Sequence, residues 1–260
     1  MGNSQPIGIF DSGVGGISIL KEIKKILPLE NAIFLADQAN VPYGSKSKSQ
    51  LEAICGRITQ FLLRYKIKLL VIACNTATCY ALDHLRSKYT IPIIGVVPAI
   101  KPASDISKKS RIAVMSTPAT AKSKYLKSLI EDYASGADVL KLGCAGLEDS
   151  IEELNYGNIN TILPSYVSPI KSFGADVIVL GCTHYPLIKD IISKSFGSSV
   201  SIIDSGEAVA QRVKFVLGQN NMLSAEKRFD AFYTTGNPET FSKVASTLLK
   251  HKVTAKKAVI

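Results

Sequence analysis

The sequence predicts an α/β protein of two similar lobes, each a mostly parallel sheet flanked by helices, with an active-site cleft between them. Three observations predict it. Short β-branched runs alternate with amphipathic segments of helical period. The same order of strand ends occurs twice along the chain. The length, 260 residues, suits one large α/β domain or two compact lobes. The expected first lobe is 1–97 with a returning tail, 208–260, and the second is 98–207.

The candidate strands are residues 7–10, 32–36, 69–73, 93–96, 112–115, 139–142, 177–180 and 201–203. Helices fit between most of them. Residues 17–26 carry apolar side chains at Ile17, Ile19, Leu20, Ile23 and Ile26, with lysines on the other face, and Pro28 stops the run. Residues 49–65 behave similarly. Ile7-Gly-Ile-Phe-Asp-Ser opens the first half, and Ile112-Ala-Val-Met-Ser-Thr opens the second in the same apolar-then-polar pattern. Each is followed by a strand that ends in cysteine, 63 residues after Asp11 at Cys74 and 66 after Ser116 at Cys182.

In open parallel sheets, ligands bind beyond the carboxyl ends of the strands. Asp11-Ser12-Gly13, Asp37, Cys74-Asn75-Thr76, Ser116-Thr117 and Cys182-Thr183-His184 all fall at such ends. Lobes that face one another would put the two cysteines on opposite walls of one cleft.

Composition narrows the function classes. With 46% hydrophobic and 20% charged residues the chain is an ordinary globular protein. Five cysteines (Cys55, Cys74, Cys79, Cys144 and Cys182) form no even disulfide framework, and no leader-like stretch precedes them, which places the protein in a reducing cytoplasm. The most apolar stretch, 91–100, is broken by Pro92, Gly95 and Pro98 and is too short to span a bilayer, so no membrane role follows. The net charge of +10 is spread over many segments without a nucleic-acid reader motif, so no direct nucleic-acid binding is expected.

A single cysteine after an apolar strand is usually packing. The pair differs, because each is followed by polar residues that packing does not need. Two opposed thiols suit the removal of a proton from one face of a tetrahedral carbon and the return of another to the opposite face, which is racemisation. The carbanion needs pre-placed donors. Ser12, Asn75, Thr76, Thr117, Thr120 and Thr183 supply short neutral ones, with backbone N–H groups of 13–16 and 43–45. Some of these hydroxyls also suit helix capping. Rival readings fit less well. The turn after Asp11 is neither GxGxxG nor a P-loop. Cys74, Cys79, Cys182 and His184 match no closed zinc spacing, so no metal and no cofactor are expected. A Cys182–His184 hydrolase leaves Cys74-Asn75-Thr76 unexplained.

The strings Ile9-Phe-Asp-Ser-Gly-Val-Gly-Gly, Ala36-Asp-Gln-Ala-Asn-Val-Pro-Tyr-Gly, Ala73-Cys-Asn-Thr-Ala-Thr and Gly181-Cys-Thr-His-Tyr-Pro-Leu resemble the motifs of glutamate racemases, in order, from residue 7 to about 210. The resemblance implies a cytoplasmic bacterial enzyme that interconverts L- and D-glutamate without cofactor or metal and supplies D-glutamate for peptidoglycan. It implies that Cys74 takes the proton from D-glutamate and Cys182 from L-glutamate. Asp11 and His184 would assist the neighbouring thiols, and Asp37 and Glu152 would be acidic helpers. Substrate contacts would come from Asp11, Ser12, Asn75 and Thr76, from the segment Pro42, Tyr43, Gly44 and Ser45, and from Thr117, Thr120, Thr183 and His184.

The chain departs from the family in two places. Ala145-Gly-Leu-Glu-Asp-Ser stands where a Pro and an apolar run are usual, and Ser116 where Gly is commoner. The resemblance also implies a homodimer and leaves room for an interaction with DNA gyrase. Two alternatives stay open: a racemase or decarboxylase of the same superfamily acting on aspartate or another small acid, and a regulator whose basic surface meets an acidic or DNA-bound partner.

Overall fold

The computed structural model describes residues 3–227 and 229–260; Met1, Gly2 and Arg228, the first two of which begin the expected first lobe, lie outside the described residues. The chain divides into two compact units, one running through Val96 and resuming as Gly206–Ile260, the other Val97–Ser205.

The first unit holds β1 (Ile7–Asp11), α1 (Ile17–Ile26), β2 (Ala32–Ala36), α2 (Lys48–Leu63), β3 (Leu69–Ile72), α3 (Asn75–Lys88) and β4 (Ile93–Gly95). The second holds α4 (Ile100–Ile106), β5 (Arg111–Ser116), α5 (Pro118–Lys122), α6 (Lys124–Tyr133), β6 (Asp138–Gly143), α7 (Leu147–Glu152), α8 (Tyr156–Phe173), β7 (Val177–Leu180), α9 (Lys189–Phe196) and β8 (Ser201–Ile203). The chain then returns to the first unit with α10 (Gly206–Gln219), β9 (Asp230–Thr234), α11 (Pro238–Leu249) and β10 (Ala255–Lys257).

Both sheets are parallel throughout the described residues. Their orders are β10-β9-β2-β1-β3-β4 and β6-β5-β7-β8. The second is the same winding as the β2-β1-β3-β4 part of the first, so the repeat read in the sequence is a repeat of topology. In such a winding the chain reverses direction across the sheet between β1 and β3, and between β5 and β7. The carboxyl ends of those strands diverge there, which is where open α/β sheets bind ligands.

The local chemistry is consistent with these elements. β1, β2, β3 and β7 are wholly buried, as strands covered by helices on both faces must be. α1 buries Ile17, Ile19, Leu20 and Ile23 and ends with Lys24 and Lys25 near its negative dipole end. Ser47 and Gln50 form a reciprocal capping box that starts α2. At the opposite ends of the strands, Lys68 and Glu30 form a buried ion pair at 2.6 Å. Lys68 also donates to the carbonyls of Asn3 and Met222, and Ser224 donates N–H to Glu30 at 2.7 Å. These bonds tie the segments entering β1, β2 and β3 to the loop before β9.

β9 and β10 are additions to the strands expected from sequence. β9 opens on a charged residue, Asp230, which accepts from the Ala32 N–H and is bonded to Lys24. β10 is a three-residue edge strand, Ala-Lys-Lys, whose polarity hides it from an apolar-run search.

Candidate active site

The first half-site lies at the carboxyl ends of β1 and β3. Asp11 is fully buried there, and one of its carboxylate oxygens accepts the Gly16 N–H at 2.7 Å. Gly16 has to be glycine, because a Cβ would stand 2.7 Å from that of Asp11 and 3.1 Å from that of Ala73. The close approach sets α1 directly beneath the Asp11 turn.

Cys74 is the N-cap of the 14-residue α3, and its sulfur accepts from the Ala77 N–H at 3.5 Å. Negative charge on this sulfur therefore meets the positive end of a helix dipole. Ser12 Oγ stands 3.8 Å from the same sulfur. Asn75 and Thr76, in the first turn of α3, are both buried. The side-chain amide nitrogen of Asn75 has no hydrogen-bond partner among the described residues. A buried amide donor left open is costly unless something arrives to accept from it.

Asp37 is occupied differently. Its two carboxylate oxygens accept from Asn40 Nδ2 at 2.9 and 3.0 Å, from the Tyr43 hydroxyl at 2.7 Å and from Thr235 Oγ1 at 2.7 Å. That set of bonds positions the 38–45 loop. Burial, with Cys55 and then Asp37 adding to it, raises the Tyr43 hydroxyl well above its ordinary range and keeps it a donor. Pro42, Gly44 and Ser45 are exposed around buried Tyr43, and Ser45 Oγ donates to the Pro42 carbonyl at 3.0 Å.

The second half-site lies at the carboxyl ends of β5 and β7. Thr117 caps α5, accepting the Thr120 N–H at 3.2 Å, and donates its hydroxyl to Thr120 Oγ1 at 3.1 Å. Cys182 is nearly buried, and its sulfur lies 3.7 Å from His184 Nδ1. His184 Nε2 donates to Glu152 Oε2 at 2.7 Å, at the last residue of α7. Thr183, between the cysteine and the histidine, is buried as well.

Burial pushes the Cys182 thiol up; the hydrogen bond and charge of His184 oppose the rise, and Glu148 adds to it. Burial would lower His184, yet its bonds to Cys182 and Glu152 outweigh that and hold it well above 6.5. A thiolate at Cys182 and a proton on His184 thus favour one another, and Glu152 holds the far nitrogen of the same ring.

Glu148 was not singled out from the sequence. It sits one turn before Glu152 on α7, half-buried, and its Oε2 is buried without a hydrogen-bond partner among the described residues. The i, i+4 spacing of the two glutamates was the available signal. Cys144 lies on the same side, pushed up to about 12 by burial and then by Cys182. Among the described residues no three of His, Cys, Asp and Glu gather into a group that could hold a metal ion.

The chain is similar to known proteins over nearly its whole length. The glutamate racemase of Herpetosiphon aurantiacus is 40% identical over 248 residues, covering 94% of this chain and 98% of that protein. A glutamate racemase isoform from Bacillus anthracis superposes with a TM-score of 0.90 at 29% identity, covering 98% of both chains. Escherichia coli glutamate racemase, solved with L-glutamate and the activator UDP-MurNAc-Ala, superposes with a TM-score of 0.83 at 28% identity over 97% of both chains. Residues 16–213, a stretch that begins after Asp11 and Ser12 and includes both cysteines, match the model of one family, and the chain belongs to it: the Asp/Glu/Hydantoin racemase family.

Proposed function

We propose that the protein interconverts L- and D-glutamate by a cofactor-independent exchange of protons between the substrate's Cα and the thiols of Cys74 and Cys182. The observation that carries this reading is the repeated winding. In each unit a cysteine follows the strand at the switch point, next to polar groups from the adjacent strand end.

One cysteine starts as thiolate and the other as thiol. The thiolate takes the Cα proton, forming an S–H bond, and the electron pair of the broken C–H bond passes into the substrate as a carbanion delocalised toward its carboxylate. The second thiol then gives its proton to the other face of Cα and is left as thiolate. The two sulfurs have exchanged protonation states and the centre is inverted. We assign Cys182 as the base toward L-glutamate and Cys74 as the base toward D-glutamate.

An ordinary thiol of pKa about 8.5 costs on the order of 2 kcal/mol to ionise at pH 7. The α3 N-terminus offsets this at Cys74, and the His184–Glu152 pair offsets it at Cys182. Asp11 would orient the substrate amine and act with Cys74. The Asn75 amide and the hydroxyls of Ser12, Thr76, Thr117, Thr120 and Thr183 would bind the two carboxylates. Asp37 acts through the Pro42–Tyr43–Gly44–Ser45 loop.

Glutamate is the preferred substrate because the named relatives over nearly their whole length are glutamate racemases. We place the reaction in the cytoplasm, where D-glutamate would feed peptidoglycan synthesis. The described residues contain no helix long and apolar enough to cross a membrane. A homodimer and an interaction with DNA gyrase complete the reading; sedimentation and a supercoiling assay with added protein test them.

The central test is incubation of L-glutamate with the protein in D2O, followed by chiral separation and proton NMR at Cα. D-Glutamate carrying deuterium should accumulate, and aspartate should turn over far more slowly. Cys74→Ala and Cys182→Ala should each abolish inversion. Near-normal turnover by either variant would rule out the two-thiol mechanism.

A further inference from the structure

We propose that Glu148 is a second positioning carboxyl of the Cys182 half-site, acting through that thiol and His184: ionised, it holds Cys182 protonated, and neutral, it lets Cys182 ionise. This rests on the two-thiol reading above.

Two observations carry it. Glu148 Oε2 is buried with no hydrogen-bond partner among the described residues, whereas Glu152, one turn on along α7, spends its Oε2 on His184. A half-buried carboxylate with one oxygen short of donors is less well stabilised as an anion than a solvated one, and its charge is less screened toward its neighbours. The neighbours are titratable. From the segment after β7, Cys182, His184 and Tyr185 interact with the Glu148 charge; from the end of β6, Cys144; from α8, the Tyr166 hydroxyl, which donates to the Ala145 carbonyl at 2.7 Å; from α7 itself, Asp149. His184 is the one cation among them and is held by Glu152. Burial raises the Glu148 carboxyl above its ordinary range, against the lowering effects of a backbone hydrogen bond and of His184.

The consequence is kinetic. Because L- and D-glutamate are equal in energy, kcat/KM must be the same in both directions at every pH. Its bell-shaped profile reports the form of the enzyme with one thiol proton shared between the two cysteines. The two apparent pKa values belong to the pair, but their sum moves with Cys182 alone when Cys74 is untouched. Glu148→Gln removes the charge while keeping the shape. The sum of the two apparent pKa values should fall by on the order of one unit, the size expected on removing a like charge that acts across a partly screened site. Glu148→Asp, which restores the charge, should return the profile toward the original.

A structural role alone would change turnover or melting temperature and leave the profile in place. The same shift should appear without turnover, as the pH titration of the Cys182 Cβ signal in 13C-cysteine-labelled protein, assigned with Cys182→Ser. If the Cys182 titration of Glu148→Gln coincides with that of the original protein, the inference is wrong. If the titration shifts but the protein racemises no amino acid, the inference stands and the proposed function falls.

Discussion

Replacing Glu152 by Gln isolates the role of the histidine pair. The substitution keeps an oxygen that can accept from His184 Nε2, 2.7 Å away in the original protein, and removes the negative charge. Both side chains are largely buried, at 7% and 17% exposure, so solvent screens the pair little. Hydrogen bonds to charged groups contribute about 1.5 to 3 kcal/mol against about 0.5 to 1.5 for neutral ones, so the loss is on the order of 1 to 2 kcal/mol. This converts to a fall of roughly one unit in the His184 pKa, and to a loss of roughly 5- to 30-fold in kcat/KM if the imidazolium is what stabilises the Cys182 thiolate. The loss must be equal in both directions. His184 titrates above 6.5 in the folded protein, so its contribution to stability is full below the unfolded value and is lost as pH rises through the folded one. The stability gap between the original protein and the variant should therefore be present at pH 6 and shrink on the alkaline side of neutrality. Nitrogen-15 NMR of the imidazole, chiral assay of the exchange and urea melts at two pH values check the three parts. An unchanged His184 titration would refute the reasoning, whatever the rate does.

Other substitutions probe the remaining parts. Asn75→Ala should raise KM for glutamate roughly 10-fold or more, the value of a hydrogen bond to a charged acceptor, while leaving the melting temperature of the empty protein unchanged or slightly higher, because the removed amide nitrogen has no partner among the described residues; a large fall in stability would show that the amide is structural. Lys68→Met leaves Glu30 buried and unpaired, and should cost about 3 to 5 kcal/mol in urea melts without changing the pH profile of racemisation. Gly16→Ala should displace Asp11 and lower turnover by more than its effect on stability, which paired kinetic and thermal measurements would reveal. Thr117→Val removes the α5 cap and should cost about 1 kcal/mol of stability, with loss of the hydroxyl also visible in KM.

Much of this was legible in the sequence because the signals were local. The Val177–Leu180 and Ala32–Ala36 strands are short apolar runs bounded by polar turns, and they can be placed without knowing their partners. The repeated spacing from the first strand of each half to a cysteine carried over into a repeated strand order. What was hidden depended on tertiary partners. β9 is recognisable only once Asp230 is seen accepting from Ala32 and bonded to Lys24, almost two hundred residues earlier in the chain. β10 is a strand because Phe232, Tyr233 and Thr234 offer it a ladder, since Ala-Lys-Lys has no apolar face of its own. Asp37 shows the same limit from the other side. Its position after a strand marks it as polar and buried, but only the structure shows its oxygens taken up by Asn40, Tyr43 and Thr235.

Under the proposed function the two cysteines would reach the same end by different electrostatics, and the difference follows from what comes after each of them. Asn75 continues directly into a long helix, so Cys74 receives the dipole of α3 and short neutral donors. Thr183 and His184 instead lead into the short turn Tyr185–Ile188, and no long helix begins at the Cys182 sulfur. A side-chain cation has to do there what the backbone does at Cys74, and a cation buried to 6% exposure needs its own carboxylate. Glu152 answers that need, and it can do so only because Gly146, at φ +75°, turns the chain into α7 and carries the carboxyl back toward His184. The cluster on the Cys182 side is thus the consequence of a missing helix terminus. On this reading pH changes what stabilises a Cys182 thiolate more than what stabilises a Cys74 thiolate, since an imidazolium titrates and a peptide dipole does not, while kcat/KM stays equal in the two directions.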